Sequence, residues 1–222
     1  MIGKNKLYSL IFFFIIFTSY NFDEQKKISS FVFPIKKITT ENTVGVDSNK
    51  LKLDLNFLKN TSLFFLREKK ITTVIDKYDF ISGIRIKKNY PSTLKITVLE
   101  KQPVAIEIQG KLFFYITKNG EKITYSKLGA YEKLPIIFGN HKNFNIFFKA
   151  LEELNFKINN IKAFYYFDVG RWDIELKDET IIKLPEKNYR DILLNVNIIL
   201  NDSNFSKYKI FDYRIKDQLI LQ

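Results

Sequence analysis

The sequence has no cysteine, and histidine occurs only once. Disulfides, thiolate nucleophiles and cysteine metal sites are therefore excluded, and stability has to come from packing. The single histidine, His141, lies between Asn140 and Lys142 in a polar, loop-like run. An imidazole without an acidic cluster reads as a surface residue rather than a metal ligand or a base. Arginine is scarce too, so the net charge of +12 is carried almost wholly by lysines spread along the chain. With no long block of like charge and no nucleic-acid motif, that excess does not point to nucleic acid. No glycine-rich phosphate loop is present, and Ser62, Ser92 and Ser126 have no histidine partner beyond the loop residue. Asp168, Asp173 and Glu175 flank Trp172, but Asp173 and Glu175 fall on one side of an alternating strand and read as outward-facing charge. No nucleophile and base pair, metal set or cofactor loop emerges, and the expectation is a protein that is not an enzyme.

What the chain does have begins with an apolar segment. After Lys4 and Lys6 comes "LYSLIFFFIIFTSYNF", residues 7–22, without a charge until Asp23 and Glu24. It reads as membrane-directed, with a length between that of a signal-peptide core and a full transmembrane span. Its end, with Phe17, Tyr20 and Phe22, carries interfacial aromatics rather than the small residues of a cleavage site. The expectation is a cytoplasmic tail (1–6), a single uncleaved transmembrane anchor (7–22) and a linker (23–30), with everything beyond on the outer side of the inner membrane.

Two modules follow. In the first, "FVFPIKKITT" (31–40) is β-rich with Pro34 near its start or on an edge, and Ser48 or Asn49 offers an N-cap for a first helix. Ile71, Val74, Ile75 and Tyr78 form one stripe of a second helix. Ile84 and Ile86 alternate with Arg85 and Lys87, the Tyr90-Pro91 turn reverses the chain, and Leu94, Ile96 and Val98 face inward. The order strand, helix, helix, strand, strand fills residues 31–102. From Pro103 to residue 222 the texture is mostly β. Strands alternate with a helix whose stripe is Phe144, Phe147, Phe148, Leu151 and Leu154, and another lined by Tyr189, Ile192, Leu193, Val196 and Ile199.

This arrangement resembles the bacterial cell-division FtsQ/DivIB family. The resemblance is carried most specifically by "TSLFFLREKKITTVIDKYDFISGIRIKKNYPSTLKITVLEKQPVAIEI", with its Pro91 turn, Leu94, Glu100, Pro103 and Ala105. Leu134-Pro135 with Gly139, the Trp172 strand, and Asp212 with Arg214 add weaker echoes. The resemblance implies an α+β fold: one transmembrane helix, a POTRA-like βααββ module and a mostly antiparallel β domain with two helices. The family's usual glycines are missing from "ITTENT", from Lys177-Asp178-Glu179 and from Lys216-Asp217-Gln218.

Resemblance also implies a division scaffold at the septum that recruits membrane partners of FtsB and FtsL type through the end of the β domain, without a cofactor. The alternative is a POTRA-containing factor for outer-membrane protein assembly or secretion. Independently of any family, "RIKDQLILQ" reads as an edge strand open to strand addition. Ile215, Leu219, Ile220 and Leu221 are its apolar contacts, and Asp212 and Arg214 either fix register or pair with each other. Alternation leaves open whether Leu219 and Leu221 face the core or a partner, and places Tyr213 only on the face opposite Asp212. Arg85, Lys87, Lys88 and Tyr90 form a possible second contact surface.

Overall fold

The structure, a computed structural model, describes residues 32–222 and the isolated Phe12. The expected tail, anchor and linker lie outside the described residues apart from Phe12. Among the described residues no helix is long and apolar enough to cross a membrane. The chain divides into two compact units, the second of which also takes in Asp79–Ser82.

The first unit orders its strands β1-β3-β2, formed by β1 (Lys37–Glu41), β2 (Ile81–Asn89) and β3 (Thr93–Glu100). β1 runs parallel to β3, pairing Ile38 with Leu94 and Thr40 with Ile96. Parallel neighbours need a crossover. Here it contains helices α1 (Ser48–Asp54) and α2 (Lys69–Ile75). α1 starts one residue earlier than the expected caps require, because Asp47 Oδ1 accepts from the amides of Asn49 (2.8 Å) and Lys50 (3.2 Å). Ser48 is thereby inside the helix, and its hydroxyl bonds to that of Thr40. Ile71, Ile75, Leu94, Ile96 and Val98, expected on inward faces, are buried, while Val74, Tyr78, Ile84 and Ile86 are half-buried; Leu51 and Leu55 of the α1 region are buried too.

The second unit is one nine-stranded sheet with two helices, in the order β12-β11-β10-β9-β8-β7-β4-β5-β6. Its strands are β4 (Pro103–Gln109), β5 (Leu112–Thr117), β6 (Lys122–Thr124), β7 (Ile136–Phe138), β8 (Ile161–Phe167), β9 (Arg171–Leu176), β10 (Ile181–Lys183), β11 (Ile210–Asp212) and β12 (Ile220–Leu221). Its helices are α3 (Phe144–Glu153) and α4 (Tyr189–Ile199). The sheet is more mixed than expected, with β4–β7, β7–β8 and β10–β11 all parallel. Three crossovers account for this: β5 and β6 lie between β4 and β7, α3 between β7 and β8, and α4 between β10 and β11. Ile137, Phe164, Ile174, Ile182 and Phe211 share one row across the sheet, and the helices bury that face. Trp172 stacks on Phe147 of α3 at 5.2 Å between ring centres, and Tyr189 of α4 meets the same ring edge-on at 5.4 Å. Each buried aromatic or leucine here contributes about 1.5–3 kcal/mol. Asp79–Ser82 joins this unit through Phe80, whose carbonyl accepts from Lys101 N (2.7 Å) and whose ring stacks on Tyr131.

Three side chains depart from the surface roles expected of them. Asp173 is buried, held by Arg171 Nε at 3.1 Å and the Leu184 amide at 3.3 Å. Burial raises its carboxyl, and Arg171 offsets only part of that. Glu175 is half-buried, bonded to Lys162 Nζ and the Tyr165 hydroxyl, each at 2.5 Å. Burial and the Glu175 bond push the Tyr165 phenol up to about 12. His141 reaches inward: its Nδ1 lies 2.8 Å and its amide 2.9 Å from Oε1 of the fully buried Glu107. Lys122 Nζ lies 2.9 Å from Oε2 as an ion pair. Burial alone would raise the Glu107 carboxyl, but the bonds from Lys122 and His141 win and hold it below the ordinary carboxylate range.

The turns without glycine are made by residues in the left-handed region: Asn42 (φ 59°), Glu179 (φ 69°) and Asp217 (φ 58°). Asn and Asp tolerate that region best, so Glu179 carries the strain. Gly139 is a genuine requirement, since at φ 97° an added Cβ would lie 2.5 Å from the Tyr166 carbonyl oxygen. We expect Gly139→Ala to destabilise by about 3 kcal/mol while Gly129→Ala, in open space, stays near neutral. Glu179→Gly should gain about 1 kcal/mol. Urea midpoints check all three. A carboxyl held low in the folded state stabilises above its unfolded pKa, and that contribution disappears as pH falls through its folded value. Glu107→Gln should therefore cost about 1–3 kcal/mol at neutral pH and flatten the acid limb of a stability–pH curve. Equal acid limbs in the two proteins would refute the role given to Glu107.

Candidate functional site: the C-terminal sheet edge

β12 is the last strand at one end of the sheet. It runs antiparallel to β11, with Phe211 opposite Leu221 and Asp212 opposite Ile220. Ile210 and Gln222 exchange both backbone bonds, at 3.0 and 3.1 Å. In an antiparallel ladder bonded and non-bonded pairs alternate. The Phe211–Leu221 pair is thus non-bonded, and the N–H and C=O of Leu221 point away from β11. Among the described residues no strand adjoins this outer side, which leaves a short row of unpaired backbone groups able to accept another strand.

The side chains sort by face. Leu219 and Leu221 are half-buried and pack against the unit's core, while Ile220 (38% exposed) and Ile215 (52% exposed) face solvent. The face beside Ile220, opposite the helices, carries a row of alternating charge, because Asp173, Lys183 and Asp212 stand opposite one another on β9, β10 and β11, with the two carboxylates themselves buried. Asp212 and Arg214 pair with each other, through Nε–Oδ1 at 2.9 Å and Nη2–Oδ2 at 2.6 Å. Those bonds hold the Asp212 carboxyl below its ordinary range. The Arg214 side chain nevertheless remains 45% exposed, leaving part of the guanidinium available to a second carboxylate.

Sequence reasoning missed the cleft beside this edge. About 670 Å³ lies between Pro185–Asn188 with the start of α4 and the hairpin Tyr213–Leu219. Tyr213 belongs to the core, yet its buried hydroxyl has no hydrogen-bond partner, and burial raises its pKa. The signal available in the sequence was the polar run "PEKN" ahead of the α4 stripe, which marks a helix start but not what faces it. The other expected surface lies in the first unit, on β2 at the opposite edge of its sheet from β1. Arg85 and Lys87 are exposed there, Lys88 is half-buried, and Tyr90 is 51% exposed.

Comparison with known proteins assigns both units. Residues 33–101 match the POTRA domain, FtsQ-type, and residues 105–214 match the C-terminal domain of cell division protein FtsQ/DivIB, so that the hairpin from Ile215 to Gln222 lies past the matched range. The chain is 25% identical over 194 residues to cell division protein FtsQ of Rickettsia typhi, covering 86% of this chain and 73% of that protein. Identity to the FtsQ of Rickettsia prowazekii is 27% over 195 residues, 86% of this chain and 72% of the relative. Identity to the FtsQ of Rhizobium radiobacter is 25% over 167 residues, 73% and 80%. An FtsQ-type POTRA unit followed by an FtsQ/DivIB C-terminal unit, in a βααββ and a helix-covered sheet architecture, places the chain in the FtsQ/DivIB family of cell-division proteins.

Proposed function

We propose that this protein is a non-enzymatic scaffold of the division machinery, anchored in the inner membrane by residues 7–22 with its tail in the cytoplasm and both units in the periplasm. At the septum it recruits small membrane partners of FtsB and FtsL type by strand addition to β12. The observation that carries this reading is the outward phase of the Leu221 backbone on an edge strand. Backbone bonds from a partner strand give attachment, and alternate side chains give selectivity. Ile215 and Ile220 supply exposed apolar contact beside it, and Arg214 supplies a half-exposed charge that favours an acidic residue in the partner. Arg85 and Lys87 on β2 offer a second protein contact within the same complex.

Strand addition has a specific test. The Leu221 N–H is not used in the β11 ladder, so proline at that place removes an outward donor and trims a half-buried side chain, and edge strands tolerate proline. Leu221→Pro should keep the melting temperature within a few degrees yet weaken binding of the periplasmic segment of the same organism's FtsB-like protein about tenfold, for a lost bond plus the ring's steric clash. Ile215→Glu should weaken it as well. Isothermal titration with the full chain in detergent checks both. Unaltered affinity for a folded Leu221→Pro variant would eliminate strand addition, and no binding by the intact chain would eliminate the partner.

A further inference from the structure

The first unit exposes more aromatic surface than its fold requires. Phe33 (43% exposed), Phe64 (59%), Phe65 (56%) and Tyr90 (51%) are all largely in solvent. They are not scattered. Phe33 meets the Tyr90 ring edge-on at 4.9 Å, and Phe64 meets Phe65 at 5.0 Å. The Phe33 carbonyl accepts from the Leu63 amide at 2.9 Å, and Pro34 bridges to Ser62, which joins the two pairs into one patch. Lysine is built into it. Lys88 Nζ lies 3.4 Å from the Phe64 carbonyl oxygen, and Lys36 lines a cleft of about 380 Å³ with Phe33 and Pro91.

Composition and reach bear on what covers this patch. The first is composition: aromatic rings with apolar bodies beside flexible ammonium groups are the set that favours the boundary between headgroups and acyl chains. The second is reach. Nine residues, Asp23–Phe31, separate the apolar run ending at Phe22 from Val32, where the first unit begins. Fully extended, that stretch spans at most about 30 Å, and a relaxed chain much less. Phe33 is thus held close to whatever bilayer the apolar run enters, and a tether of that length makes the local concentration of lipid surface very high.

We infer that the patch of Phe33, Phe64, Phe65, Tyr90, Lys36 and Lys88 rests on the outer surface of the same bilayer, with the rings in the headgroup region and the lysines on anionic lipid phosphates. The inference rests on reading residues 7–22 as a membrane anchor. Lys88 and Tyr90, expected as a protein contact, are lipid contacts on this assignment, while Arg85 and Lys87 remain free for protein.

The absence of cysteine makes the test clean, because Phe65→Cys gives a unique labelling site. The full chain is reconstituted in phosphatidylcholine nanodiscs with and without phosphatidylglycerol, labelled with an environment-sensitive dye, and compared with Ile198→Cys on the exposed side of α4. In anionic discs the Phe65 label should emit further to the blue and be quenched by brominated lipid, and the Ile198 label should show neither effect. Lys36→Gln and Lys88→Gln, added to Phe65→Cys, should each shift the docked population about fivefold toward the free state. Circular dichroism checks that each variant is folded. A Phe65 label as wet as the Ile198 label in anionic discs overturns the inference, as does quenching indifferent to phosphatidylglycerol. Protection that appears only when a division partner is added makes the patch a protein site instead. A chain that does not co-purify with discs removes the anchor reading itself, an outcome distinct from a chain that inserts but leaves its label in water.

Discussion

Parallel neighbours in a sheet cannot be joined by a tight turn, and much of the second unit depends on that constraint. β7 and β8, and again β10 and β11, are parallel neighbours, and in each pair a helix carries the chain back. Both helices lie on one face, where Phe147 and Tyr189 touch and the Leu154 carbonyl accepts from the Asn197 amide nitrogen. Most of the large apolar payload lies on that face, around Trp172, while Tyr115 and Ile123, with Phe80 and Tyr131, bury a smaller cluster on the other. Beyond that cluster the opposite face carries charge, as in the Asp173, Lys183, Asp212 row. The last strand, arriving after the final crossover, has nowhere to go but the end of the sheet.

Much of this was legible in the sequence because burial has a period. Ile71 and Ile75, Leu94 with Ile96 and Val98, and the α3 stripe from Phe144 to Leu151 were all placed on their buried faces by spacing alone. The order of elements in the first unit followed from the same spacing. Pairing has no such signature: nothing in "PIIFG" or "KAFYYF" says that the strands run the same way, and the sheet was expected to be more antiparallel than it is. Turns were the other blind spot. Where glycine was missing the chain still turned, with Asn42 and Asp217 taking the left-handed region, for which short polar side chains suffice.

Polar residues were misplaced for a different reason. Alternation assigns a charge to solvent by default, yet Asp173 is buried against Arg171 and the Leu184 amide, and Glu107 is buried because partners distant in sequence reach it. Arg171 is close to Asp173, but the partners of Glu107 come from 34 residues onward, at His141, and from β6, at Lys122. The single imidazole of the chain thereby ties the loop after Gly139 to the sheet. At the candidate edge, the strand and its apolar residues were visible in "RIKDQLILQ", but the cleft was not, since its far wall belongs to Pro185–Asn188.

β12 contains only two residues. An edge of that length cannot hold a partner by backbone bonds alone, since each contributes about 1 kcal/mol net and association costs several times that. Brevity guards against unwanted sheet growth, and it makes any attachment there readily reversible. A partner diffusing freely in three dimensions would spend little time bound to it. On the proposal that residues 7–22 anchor the chain, a partner confined to the same bilayer meets the edge at a much higher effective concentration, and the same weak contact becomes sufficient. On that proposal the shortness of the strand acts as a filter on geometry, favouring partners delivered by the membrane over those delivered by solution.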